Sequence, residues 1–338
     1  MNHFQRYLAE EFAEDYQEGR LTRRQALKLI ASVTGSLVLA NTILAACTPP
    51  PQATATPSPT SAPPPTRTPA LSPSPTSGPT TEPTEAPPTA VSPSPTAVVG
   101  GTVSPDDPAI EAGPIQFPGE GAMLLGYLAR PKGDGPFPVV LVCHENRGLT
   151  EHIQDVTRRL TKAGYVALAV DLLSRQGGTE AVGSSNVPGV LGNTPSEQFV
   201  SDFASGWQYL QTLPFADAER VGMVGFCFGG GVTWLVATHM PELKAAVPFY
   251  GPHPPVEDVP NINAAVLAIY GELDQRINQG IPAIEVAMQQ NNKVYEKVVY
   301  PNADHAFHND TGSRYNPEAA QDAWAQTLGW FGKYLIAP

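Results

Sequence analysis

The stretch "VGMVGFCFGGGVTW", Val221–Trp234, decides how the chain is read. It runs as an apolar strand into a helix, with Cys227 at the corner and Gly225 and Gly229 two positions to either side. A strand that turns sharply into a helix strains the backbone of its corner residue, and small neighbours relieve the clash. The corner side chain then projects above the sheet, next to the amides that open the helix. This is a nucleophile elbow with Cys in place of Ser. The positive end of the helix also favours a thiolate. A buried structural cysteine followed by glycines for tight packing fits the same stretch, so the rest of the chain has to decide.

Strand and helix patterns alternate from Ile115 onward. "AMLLGYLARP", "PVVLVCHE", "YVALAVDLL", "RVGMVGF", "KAAVPFYG", "AAVLAIYGE" and "YEKVVYP" read as strands. Between them, "EHIQDVTRRLTKAG" places Ile153, Val156 and Leu160 at helical spacing and stops at Gly164. "SRQGGTEAVGSSNVPGVLGNTP" reads as a Gly-rich loop. "SEQFVSDFASGWQYLQTL", "IPAIEVAMQQNN" and "NPEAAQDAWAQTLGWFGKYL" read as further helices. Several strands are continuous apolar runs, as in a mostly parallel sheet with helices on both faces. The expected fold class is therefore α/β. In such a sheet reactive groups gather at the carboxyl ends of strands. That rule selects Glu145, Asp171, Cys227, Asp274 and His305. An elbow nucleophile needs an acid after a later strand and a histidine after the last one. The order Cys227, Asp274, His305 meets that need. His305 would take the thiol proton, and Asp274 would hold its tautomer and orientation. The neighbouring Asp304 reads as a turn residue or cap, and His308 as a pocket or surface residue.

The motifs "VGFCFGG", "CHENRGL", "GYVALAVDLLSRQG", "YGELD" and "PNADHAFHN" together resemble the dienelactone hydrolases of the α/β-hydrolase superfamily, over about residues 110 to 336. The resemblance implies an α/β-hydrolase fold and a catalytic triad of Cys227, Asp274 and His305. It implies an oxyanion hole from the backbone amides of Phe228 and Asn146. It also gives Glu145 a role in deprotonating the thiol when substrate arrives, and an apolar cleft would make such a carboxylate a better proton acceptor. The family clamps its substrate carboxylate with two arginines. Arg175 matches the first, but the second falls on Asn309, and Arg314 is the nearby basic residue that would have to reach back. The expected substrate is a small lactone or ester, cleaved through a thioester. A carboxylesterase or thioesterase of other acyl specificity, and a non-catalytic surface-binding lipoprotein on the same fold, are the alternatives. A thiol-redox role lacks a C-x-x-C.

Cys143 reads as a buried core thiol, although a disulfide to Cys227 is conceivable outside the cytoplasm. His144, His152, His239 and His253 show no metal-ligand spacing, so no metal and no cofactor are expected. The glycines after Cys227 precede no G-K-[ST], so they form no phosphate-binding loop.

The N-terminal third has a different character. "LTRRQALKLIASVTGSLVLANTILAAC" joins a basic edge (Arg23, Arg24, Lys28) to an apolar run, Leu29 to Ala45, and ends in small residues before Cys47. "TRRQALK" resembles a twin-arginine signal and "LAAC" a bacterial lipobox. Residues 1–46 are accordingly expected to be an export signal and Cys47 to carry lipid. The alternative is an uncleaved membrane helix at the lower limit of spanning length. "AEEFAEDYQEG" is expected to be an exposed helix lost on processing. Of 37 prolines, 17 lie between Pro49 and Pro95, among Thr, Ser and Ala. Residues 47–100 are therefore expected to be a disordered tether. Residues 101–338 then form the catalytic domain, lipid-anchored outside the cytoplasm and monomeric. The formal net charge is −12, and residues 1–46 hold five acids and five Arg/Lys, so the remainder carries the deficit. That argues against a nucleic-acid partner.

Overall fold

The computed structural model describes residues 1–46 and 101–336, so Cys47 and the expected tether over 47–100 lie outside the described residues. Three helices come first: α1 (His3–Gln17), α2 (Arg23–Thr34) and α3 (Leu37–Ala46). The hairpin β1 (Ile110–Gly119) and β2 (Ala122–Pro131) follows, then β3 (Phe137–Cys143), α4 (Glu151–Lys162) and β4 (Val166–Val170). Next come short α5 (Thr179–Val182) and α6 (Val187–Asn193), long α7 (Ser196–Gln211), β5 (Ala216–Phe226) and α8 (Phe228–His239). The chain closes with β6 (Ala245–Phe249), β7 (Ala265–Gly271), α9 (Gln275–Asn278), α10 (Ile281–Gln290), β8 (Tyr295–Tyr300) and α11 (Pro317–Phe331).

The strands form one eight-stranded sheet in the order β1-β2-β4-β3-β5-β6-β7-β8. The β1–β2 and β2–β4 pairs are antiparallel and the others parallel. Strands β4, β6 and β7 are buried along their whole length, which is why they read as unbroken apolar runs. The chain leaves β3 for β4 on one side and returns to β5 on the other. That reversal opens a crevice at the carboxyl ends of β3 and β5, the place where open α/β sheets bind ligands. Glu145 follows β3 and Cys227 follows β5, so the topology brings both to this crevice.

Four features differ from the sequence expectation. Strand β1 begins at Ile110, ahead of the expected start at Ile115, because Pro114 and Pro118 mask its pattern. Proline is tolerated there since β1 is an edge strand. The Gly-rich loop contains α5 and α6, with Val187 and Leu191 of α6 fully buried. The apolar run of the N-terminal segment is broken at Gly35, whose left-handed φ of 68° caps α2 before α3 starts. No helix among the described residues is long and apolar enough to cross a membrane.

The largest departure concerns α1, which is not an exposed extension. Phe4, Tyr7, Leu8 and Phe12 are buried, and they join the same hydrophobic core as the sheet strands. Residues 1–46 and 101–336 belong to one compact unit. Phe4 packs on Phe228 and Phe199 at ring separations of 4.9 and 5.6 Å.

Candidate active site

The corner between β5 and α8 has the strain that the sequence called for. Cys227 sits at φ 58°, ψ −119°, a conformation that non-glycine residues rarely adopt. Its amide donates to the Phe249 carbonyl at 3.0 Å, which ties the corner to β6. A Cβ on Gly225 would stand 2.2 Å from the Gly229 carbonyl oxygen. One on Gly229 would stand 2.5 Å from the His144 oxygen and 2.6 Å from that of Cys143. The two glycines therefore let α8 start directly against the end of β3, and this sets the sulfur beside residues 144–146.

Asp274 caps the one-turn helix α9, accepting from the Ile277 amide through Oδ1 at 3.3 Å. Its Oδ2 lies 2.6 Å from His305 Nδ1. Both residues are 1 % exposed. Burial raises the Asp274 carboxyl, but the His305 charge and hydrogen bond, with Arg276, bring it below its ordinary value. Burial would lower His305, yet Asp274 and the Cys227 sulfur hold it well above its ordinary value. Asp274 thus fixes the tautomer that leaves Nε2 facing the sulfur side. Asp304 accepts from the His305 amide at 2.7 Å and acts as the expected turn residue. His308 instead lies in the core. It stacks on Phe226 at 5.0 Å, and burial lowers its pKa to about 3.

Glu145 is buried, and its Oε2 accepts from Asn309 Nδ2 at 2.7 Å. The position that carries the second arginine in the resemblance therefore anchors the carboxylate of Glu145. The Phe228 and Asn146 amides donate to no turn or loop carbonyl among the described residues. Asp171 organises its own loop, accepting from the Leu173 and Thr179 amides and from the Thr179 hydroxyl. Arg175 is not brought to this group. Its guanidinium pairs with buried Asp202 of α7 at 2.5 Å and donates to the Glu120 carbonyl at 2.8 Å. The arginines that do bear on the crevice are Arg276 and Arg314. Both are held cationic against burial, Arg276 by Tyr7, Glu11 and Asp274 among others, and Arg314 by Asp15 and Glu11 and more weakly by the Cys227 sulfur. Cys143 and Cys227 are both free thiols.

Sequence reasoning missed two residues at the centre of the site, and both come from α1. The Tyr7 hydroxyl lies 3.2 Å from Cys227 Sγ and 3.5 Å from His305 Nε2. The Glu11 carboxylate oxygens stand 3.6 and 3.7 Å from the same sulfur, and Oε1 accepts from Asn146 Nδ2 at 3.0 Å. Burial first, then the Glu11 charge, pushes the thiol above its ordinary value, against the pull of His305. Ligand atoms of Glu11, Cys227 and His305 fall within 4.8 Å of one another, a donor set that could hold a metal ion. Spacing could not reveal this set, because Glu11 is distant in sequence. An ion there would occupy the sulfur and the Nε2 that nucleophilic attack needs. The available signal for α1 was its apolar stripe, Phe4, Tyr7, Leu8 and Phe12, at helical spacing.

Comparison with known proteins bears on the fold and the family. The sequence model described as "Dienelactone hydrolase family" matches residues 124–335. A protein named "Putative carboxymethylenebutenolidase" from Methylorubrum extorquens is 38 % identical, over 70 % of this chain and 86 % of its own length. One of the same name from Escherichia coli K12 is 37 % identical, over 72 % and 94 %. A crystal structure described as a "Putative Dienelactone Hydrolase" from Klebsiella pneumoniae superposes with a TM-score of 0.63 at 37 % identity, covering 67 % of this chain and all of that one. With an elbow, an acid and a histidine in family order on a family sheet, the chain belongs to the dienelactone hydrolase family.

Proposed function

We propose that the protein hydrolyses a small lactone or carboxylic ester with Cys227 as nucleophile, through a thioester. The observation that carries this reading is the strained Cys227 corner beside a buried His305 that is itself held by Asp274 at 2.6 Å. In the proposed path His305 Nε2 takes the thiol proton as Sγ attacks the carbonyl carbon. The Phe228 and Asn146 amides receive the oxyanion at each tetrahedral stage. Collapse breaks the C–O bond, and the leaving alkoxide takes the proton from His305. A water, deprotonated by His305, then attacks the thioester. The acid leaves and the proton returns to sulfur. Glu145, held by Asn309 and near enough for its charge to raise the thiol, is a second acceptor for the thiol proton. The charges of Arg276 and Arg314 favour an acyl group that carries a carboxylate, which takes over the role first expected of Arg175.

The test is acylation by an activated ester, followed by intact mass. An acyl adduct on Cys227 and product release are expected, and both should vanish in Cys227→Ala. Equal turnover by that variant would defeat the reading. A panel of lactones and esters with and without a carboxylate, compared between wild type and Arg314→Ala, then fixes the substrate class. We further propose that residues 1–46 act as an export signal and that Cys47 is the lipid attachment point of a protein held outside the cytoplasmic membrane. Exposed Arg23 and Arg24 support this, since α2 buries Ala26, Ile30 and Val33 and leaves the pair accessible. Metabolic labelling with a fatty acid, lost in Cys47→Ser, is the check.

A further inference from the structure

We propose that α1, braced by α2, is an intramolecular cover that shuts the catalytic crevice by seating Tyr7 and Glu11 against the nucleophile. Cys227 is 3 % exposed, and the chain's own α1 is what lies over its sulfur. A carbonyl carbon must reach Sγ, and the Tyr7 hydroxyl already occupies that approach at 3.2 Å. Glu11 makes the case for closure over completion. A helix that completed the site would bring hydrogen-bond donors to the developing oxyanion. This one commits its hydroxyl, that of Tyr7, to the sulfur and His305 Nε2, and sets beside it a carboxylate bound to the Asn146 side chain and next to the sulfur. Its charge opposes both the thiolate and the oxyanion.

The seat is shaped for its occupant. On α6, a Cβ at Gly189 would meet Ser32 at 3.0 Å, and one at Gly192 would meet Val33 at 2.9 Å. These glycines let α2 approach the body closely. Asn193 Nδ2 donates to the Ser32 carbonyl at 2.9 Å, and Asn2 Nδ2 to that of Gly192 at 3.2 Å. Leu8 is fully buried. A ring of opposite charges completes the seat: Glu14 with Arg276 at 3.0 Å, Asp15 with Arg314 at 3.7 Å, and Arg20 with Asp304 at 3.6 Å. The acidic face of α1 therefore sits on the two arginines assigned above to an anionic acyl group, and it acts as a tethered substrate mimic. Because the segment belongs to the same chain, its docking is intramolecular and does not weaken on dilution. Were the export reading to hold, the cleavage that frees the domain would also uncover its site.

The inference rests on the hydrolase reading for one of its two readouts only. The test compares the full chain with Phe4→Asp/Leu8→Asp, which places charge in the buried face of α1. A second form is the full chain carrying a protease site inserted between residues 50 and 94, cut after folding and then diluted. The readouts are the rate of Cys227 alkylation by iodoacetamide, followed by peptide mass, and the initial rate on an activated ester. Undocking is expected to speed alkylation at least tenfold in both forms, with no change on dilution of the uncut chain. The ester rate should rise with it. Faster alkylation with no ester turnover in any form would leave the cover standing and sink the hydrolase reading. Unchanged or slower alkylation on undocking, or turnover that falls, overturns the cover.

Discussion

His305 has an aromatic ring at its face and a carboxylate on its Nδ1. Tyr250 packs against it at 5.1 Å, and Asp274 accepts from Nδ1. Asp274→Asn keeps the volume and the α9 cap but offers an amide where the imidazole needs an acceptor. Hydrolysis should fall about 10²–10⁴-fold with the melting temperature little changed, as when a triad histidine loses its tautomer. A stopped assay on the undocked form measures it. His308 poses a separate question, one of stability. It is buried neutral with a folded pKa of about 3, against an unfolded value near 6.5. Its folded value is depressed, so the unfolded chain binds a proton that the folded one refuses. That contribution is fully present above about pH 6.5 and is lost as pH falls from there toward about 3, a swing on the order of 5 kcal/mol. His308→Phe keeps a ring on Phe226 and removes the titration. Acid unfolding followed by circular dichroism should move to lower pH, and an unmoved midpoint would refute the assignment. At this scale the grouping of Cys227, Asp274 and His305 was legible, since each follows the carboxyl end of a strand, β5, β7 and β8 in turn. Arg175 was not, because its partner Asp202 comes from α7 and no local spacing announces that pair.

Elements were legible wherever burial on both faces left an unbroken apolar run, as in β4, β6 and β7. They were hidden where backbone chemistry disguised them. β1 carries two prolines at a sheet edge, and α6 carries two glycines that serve its contact with α2. The junction of β5 and α8 offers a sharp test. Gly225→Ala would force a methyl to within 2.2 Å of the Gly229 carbonyl, and backbone cannot yield cheaply. Overpacking of this kind costs about 1–3 kcal/mol. Each kcal/mol should lower the melting temperature by about 2–4 °C in a domain of this size. Because the shift would tilt the start of α8, thiol reactivity should fall as well. Gly113→Ala on β1 is the control. Its Cβ meets nothing within 4 Å, so stability should stay within about 0.5 kcal/mol. A tolerant Gly225 would mean that the close approach of α8 to β3 is not what holds the nucleophile.

The joining of residues 1–46 to the sheet is a property of the whole molecule, and nothing local in either segment encodes it. The apolar stripe of α1 fits any groove, and the crevice of β3 and β5 fits any ligand; only the folded chain shows that each fills the other. This mutual occupancy has a thermodynamic consequence. The sulfur cannot hold an acyl or alkyl group and also keep Tyr7 at 3.2 Å. Whatever modifies Cys227 must therefore weaken α1 docking by the same free energy with which docking resists modification. Hydrogen exchange reads this directly. In the unmodified full chain, the amides of Arg6–Ala13 should be protected, since each is bonded along the helix and one face is buried. After complete alkylation of Cys227, they should exchange at least tenfold faster. The amides of β3, β5 and β7 should not change, because their ladder does not depend on the cover. Raised salt should push in the same direction as alkylation, through the Glu14–Arg276 and Asp15–Arg314 pairs. Were α1 to stay protected on a fully modified protein, the crevice would have to hold both the adduct and the helix, and Tyr7 would line the substrate pocket instead of closing it.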